Sequence, residues 1–133
     1  MRNKTILTLS DAQTVLTAAR AEALRRNWAV TVAVVDDAGL LLLLERADGA
    51  RPQTAEIATV KARSAALTHR SGKTWEDAVA KRPGVLNFPD AFPIQGGVPI
   101  VFGGEVIGGV GVSGVQSHED EQVALAGIAA LGL

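Results

Sequence analysis

The sequence predicts an α+β (α/β) domain, an antiparallel sheet flanked by helices, and three observations carry that prediction. Apolar residues recur at helical spacing in capped segments, short strand-forming runs meet at glycine-containing turns, and the order reads helix, hairpin, helices, hairpin, helix. A chain of 133 residues buries a core without metal or disulfide support, so residues 1–133 are read as a single domain.

Ser10 with Gln13 forms a capping box that opens a helix running to about Asn27. Ala12, Val15, Leu16, Ala19, Ala23 and Leu24 share its apolar face. Trp28 to Asp36 reads as a strand, Asp37-Ala38-Gly39 as a turn that Asp36 and Asp37 help to form, and Leu40 to Arg46 as the antiparallel partner. The unbroken leucines from Leu40 to Leu44 predict a strand covered on both faces, since a one-sided sheet alternates. Thr54 caps a second helix to about His69, lined by Ala55, Ala58, Ala62, Ala65 and Ala66. Thr74 marks a short third helix with Trp75, Glu76 and Asp77 in its first turn. Arg82 to Gln95, with Pro83, Pro89 and Pro93, is an irregular segment of the kind that covers a pocket.

Between Gly96 and Gly114, eight of nineteen residues are glycine. Val98 to Phe102 and Val106 to Val112 are strands joined by Gly103-Gly104, a pair suited to a tight hairpin. Gly108, Gly109 and Gly111 carry no side chain to pack, which predicts close approach of a ligand or a second backbone. The spacing Gly109, Gly111, Gly114 imitates a dinucleotide fingerprint, but only 19 residues follow, too few for the rest of a βαβ unit. Ser117 caps a terminal helix with Glu119, Asp120 and Glu121 in its first turn.

Composition narrows the function classes. Thirteen basic and fourteen acidic residues give a net charge of -1, which argues against a nucleic-acid or anionic-membrane partner. Absence of cysteine removes thiolate chemistry and cysteine metal sites. No apolar stretch has signal-peptide or membrane-spanning length, so the expected location is cytoplasmic. Small residues on helix faces and in the glycine hairpin favour close subunit contacts, and a homo-oligomer is expected.

VVDDAGLLLLLERADGARPQTAEIATVKARSAAL and IQGGVPIVFGGEVIGGVGVSGVQSHEDEQVALAG together resemble the family of small proteins that includes GlcG, the heme-binding HbpS proteins and the carboxy-terminal domain of PduO-type proteins. The resemblance runs from about Leu7 to Ala130 and rests on VVDxxG, ERxDGA, IAxxKAxxAA, GGxPI and GxxGVSG as a set. It implies a profilin-like fold with a five-stranded antiparallel sheet, helices on both faces, and homo-oligomers. Some members of that family bind or degrade heme, while others lie beside genes for glycolate, diol or aromatic-acid metabolism. Val115-Gln116-Ser117-His118 after VSG and Thr68-His69-Arg70 at the helix end depart from the general pattern.

His69 and His118, the only histidines, are the candidate heme ligands, because no cysteine or tyrosine is present and the single methionine is Met1. A plainer role for each is a polar residue at a helix end. No histidine-carboxylate motif marks a metal site. A second constellation is cationic: Arg46, Arg51 and Lys61, with amides at Gly96 and Gly97, suit a carboxylate ligand. Thr54 lies at the adjoining helix amino terminus and Ser113 offers a ligand-bonding hydroxyl. Were the protein an enzyme, Lys61 or Glu56 would move the proton. Three functions follow: a protein binding heme or a small organic acid in a pocket between residues 82–95, the glycine hairpin and residues 51–69; a cofactor-independent deaminase, hydrolase or tautomerase acting on an unsaturated or hydroxylated carboxylic acid in aromatic-compound catabolism; or an oligomeric scaffold.

Overall fold

The computed structural model describes residues 1–133, the whole chain. Helix α1 (Leu9–Arg25) is capped two residues earlier than Ser10 and Gln13 suggest. Thr8 is the extended cap: its hydroxyl accepts from the Asp11 N–H, and the Asp11 carboxylate accepts from the Thr8 N–H at 2.8 Å. That backbone bond holds the Asp11 carboxyl below its ordinary value.

Four strands follow, β1 (Thr31–Asp36), β2 (Leu41–Arg46), β3 (Gly97–Phe102) and β4 (Glu105–Ser113). They form one antiparallel sheet in the order β2-β1-β4-β3, which places the glycine hairpin beside β1. Asp36 fixes the β1–β2 turn by accepting from the Ala38 and Leu40 N–H groups, each at 2.9 Å. Gly103 and Gly104, at φ +58° and +79°, make the β3–β4 turn in the left-handed region.

The sheet has four strands where five were expected. Residues 82–96, with three prolines, give only a 3-10 turn at Pro83–Asn87, and residues 3–7 run directly into the α1 cap, so no segment remains to extend an edge. The leucine strand is a second correction. β2 is an edge strand: Leu42 and Leu43 pack on one layer and Leu44 on the other, but Leu40 and Leu41 are 60% and 50% exposed, beyond the reach of either.

Helices cover both faces. Val32, Val34, Ile100, Val110 and Val112 pack with Ala12, Val15, Leu16 and Ala19 of α1 and with Val123 and Ala124 of α4 (Ser117–Ala129). Ala33 and Val35, the alternate residues of β1, meet Ala58, Ala62 and Ala66 of α2 (Thr54–Thr68). Gly109 and Gly111 lie under α2, where an added Cβ would stand 2.5 Å from the Ala62 carbonyl oxygen and 2.0 Å from that of Ala58. The strand glycines therefore admit a second backbone.

Helix α3 (Gly72–Lys81) is capped by Ser71, whose hydroxyl accepts from the Thr74 N–H, so Thr74 is inside the helix. Thr54 likewise is the first residue of α2 and not its cap; Gln53 precedes it without a side-chain bond. Gln116, extended, donates its N–H to Glu119 Oε1 at 3.2 Å and stands at the cap of α4 ahead of Ser117.

Candidate functional site

Helix α2 buries one stripe against the sheet, and among its alanines stands one charged residue. Lys61 is 3% exposed. Its ammonium donates to the Val112 carbonyl at 2.9 Å and to Asp120 Oδ2 at 3.1 Å, tying α2 to β4 and α4. The other Asp120 oxygen accepts from the Val115 N–H at 3.1 Å. Burial raises the Asp120 carboxyl above its ordinary value, against the opposing pull of the Lys61 ammonium. Gly96 and Gly97 close over this pair: a Cβ on Gly96 would lie 2.6 Å from Lys61 Nζ, and one on Gly97 would lie 2.3 Å from the Lys61 carbonyl oxygen.

A neutral pair lies further along the same stripe. The hydroxyls of Thr31 and Thr54 are 2.8 Å apart, Thr54 also donates to the Arg51 carbonyl at 2.6 Å, and Thr31 sits opposite Ser113 in the β1–β4 register. The fold thus brings Lys61, Gly96 and Gly97 together, with Thr54 and Ser113 toward the same end of the sheet. It does not bring Lys61 to Arg46 and Arg51. Arg46 ends β2 exposed, Arg51 is exposed in the loop before α2, Glu56 is exposed in the first turn of α2, and Lys61 faces inward because Asp120 and Val112 hold it there. No buried side-chain nitrogen or oxygen lacks a partner, so this interior cluster is satisfied within the chain.

Asp120 was legible only as a first-turn acid of α4. The signal for its second role is Lys61 itself, a lone cation in an alanine stripe that requires a buried carboxylate.

The largest cavity, about 450 Å³, lies at the other end of α2, between α3 and the 3-10 turn. Arg70, Trp75, Lys81, Arg82, Val85 and Phe88 are among its lining residues. An adjoining concavity of about 310 Å³ shares Arg70, Trp75 and Phe88 and adds Leu67, Thr68 and Pro89. The proline-rich segment therefore does wall a hollow, but the glycine hairpin takes no part in it. Trp75 organises the floor: its indole donates to Thr68 Oγ1 at 2.8 Å, its ring stands 5.5 Å from that of Phe88, and the Arg70 guanidinium lies 5.3 Å over it.

His69 ends α2 in the left-handed conformation at φ +60°, exposed, between two residues that line these hollows. His118 is exposed in the first turn of α4. No three histidine or carboxylate groups are grouped to hold a metal ion, and no helix is long and apolar enough to cross a membrane.

Comparison with known proteins agrees with this architecture. Protein GlcG of Escherichia coli strain K12 is 42% identical over 114 residues, 85% of each chain. The crystal structure of a double mutant of Streptomyces reticuli HbpS is 34% identical, with a TM-score of 0.92 over 100% of this chain and 92% of that one. A crystal structure of a PduOC:heme complex is 25% identical, with a TM-score of 0.85 over 95% of both chains. Residues 7–129 match the family described as "Haem degrading protein HbpS-like", and it is to this HbpS-like family that the chain belongs.

Proposed function

We propose that the protein is a small-ligand-binding member of its family, that its ligand is heme, and that His69 holds the iron. The observation that carries this reading is the position of His69: an exposed imidazole without a side-chain hydrogen bond, at the end of α2 between Thr68 and Arg70, which line the hollow that Trp75 and Phe88 wall. The family description and the heme complex of the PduOC relative support the choice of ligand. The residues fit the group, since an apolar wall, an accessible imidazole and nearby cations are all present. Heme, when bound, supplies an iron that coordinates imidazole; the chain supplies the imidazole, the apolar contact and exclusion of water from one ring face.

Titration with hemin should give a saturable Soret shift, and His69→Ala should alter the bound spectrum more than His118→Ala. Identical spectra for the native chain and the double alanine variant would overturn the assignment. Proton transfer on an organic acid by Lys61 is the weaker reading, because its ammonium is already committed to Asp120 and Val112.

We also infer that copies of the chain associate. Ile6, Phe102 and Leu133, exposed by 64%, 47% and 57%, surround an apolar concavity beside the free edge of β3. Light scattering at micromolar concentration should give a mass of at least two chains; a monomer mass would refute the association.

A further inference from the structure

The chain carries thirteen lysines and arginines, and eight of them lie in ion pairs with a carboxylate: Arg2, Lys4, Arg20, Arg25, Arg26, Lys61, Arg63 and Lys73. Five remain without one, and three of those five, Arg70, Lys81 and Arg82, line the 450 Å³ cavity. The one acid among the lining residues, Asp77, is already paired with Lys73 at 3.0 Å. The hollow is therefore strongly cationic in a chain whose net charge is -1. Cations suit the carboxyl ends of α2 and α3, which explains where each lies along its helix. It does not explain why three converge on one hollow with no carboxylate free to pair with them.

The apolar part of the hollow is equally specific. Phe88 is 56% exposed, an unusual place for a large aromatic ring, and it stands against Trp75 and Val85. Arg70 lies over the Trp75 ring, so one cation is oriented by the aromatic floor. A planar conjugated ring lying against Phe88, with its carboxylates turned toward the guanidinium groups, satisfies both features at once.

We infer that this cavity is a binding site for a planar conjugated polycarboxylate, with Arg70 and Arg82 as the carboxylate-binding residues and Phe88 as the stacking wall. The inference rests on the ligand-binding reading above and makes no use of iron. Both a tetrapyrrole bearing propionates and a smaller benzene dicarboxylate have this chemistry.

The test uses the full chain and metal-free protoporphyrin IX, whose binding is followed by its own fluorescence and involves no axial bond. The diacid should bind at least about tenfold more tightly than its dimethyl ester, the weight of one charged hydrogen bond. Arg70→Gln with Arg82→Gln should weaken the diacid by about tenfold or more on the same grounds, whereas Arg25→Gln with Arg26→Gln, which removes the same two charges at the end of α1, should leave it unchanged. Unfolding curves that match the native chain establish that the double variant is folded. Displacement of the porphyrin by benzene-1,3-dicarboxylate would identify the smaller acids as ligands, and failure to displace it would identify the tetrapyrrole. Equal binding of acid and ester, or native affinity in the folded double variant, would overturn the site. A His69-dependent hemin spectrum would survive that outcome, so the two readings fail separately.

Discussion

Lys61→Met is expected to lower the unfolding free energy by about 3–5 kcal/mol, because it leaves the Asp120 carboxylate buried with no counter-charge. Urea unfolding at fixed protein concentration measures the loss. Its pH dependence carries a definite sign. Burial already raises the Asp120 carboxyl, and the Lys61 ammonium opposes that rise. Removing Lys61 raises it further, so the folded variant takes up a proton at a pH where the unfolded chain does not. The penalty should be largest near neutrality and should shrink as pH falls through the raised Asp120 value. Adding Asp120→Leu to Lys61→Met removes the stranded charge, and the double variant should be more stable than the single one. A single variant as stable as the native chain would mean that the pair is not buried in solution.

Gly111→Ala is expected to destabilise the domain at least as severely as an overpacked core site, about 1–3 kcal/mol or more. The new methyl would lie 2.0 Å from the Ala58 carbonyl oxygen and 2.5 Å from the Ala62 nitrogen, both backbone atoms of α2, so no rotamer change relieves the clash. Gly84→Ala is the control, since no atom lies within 4 Å of the added carbon and the backbone there is ordinary. Differential scanning calorimetry should show a clear drop in Tm for Gly111→Ala and almost none for Gly84→Ala. Equal transitions for the two would show that α2 does not rest on the strand.

The order of elements was readable because period and turn chemistry are local properties of the chain. Gly103-Gly104 and the apolar run of β1 determine their own conformations. The leucine strand misled because periodicity reports apolarity and not the width of the layers above it; Leu40 and Leu41 lie at an edge that no helix reaches. The caps were misplaced by one to three residues because Ser10 and Thr74 each follow another competent cap, Thr8 and Ser71, and because at Ser117 it is the preceding Gln116 that enters the helix extended. The site was harder to read, since its parts come from distant positions. Lys61 meets Asp120 across 59 residues, and the cationic hollow joins Arg70 to Arg82 through a tryptophan that looked like an ordinary helix residue. Neither juxtaposition has a local signature. His69 was recognisable as a candidate only by elimination; the prolines of residues 82–95 signalled a hollow there, but not its cations or its Trp75 floor.

Helix α2 rests on bare strand backbone, and this limits which sequences the interface accepts. Where two side-chain layers interdigitate, as between the sheet and α1, a larger residue on one side can be offset by a smaller one on the other. Over Gly109 and Gly111 there is nothing left to shrink. Substitution at the fully buried Ala58, Ala62 and Ala66 favours residues no bulkier than alanine, and the helix already lies as close to the sheet as backbone contact allows. The fixed seat extends to the end of the helix, where His69 and Arg70 project from it like the tip of a cantilever. Their height above the sheet is therefore set by glycines far further along the chain.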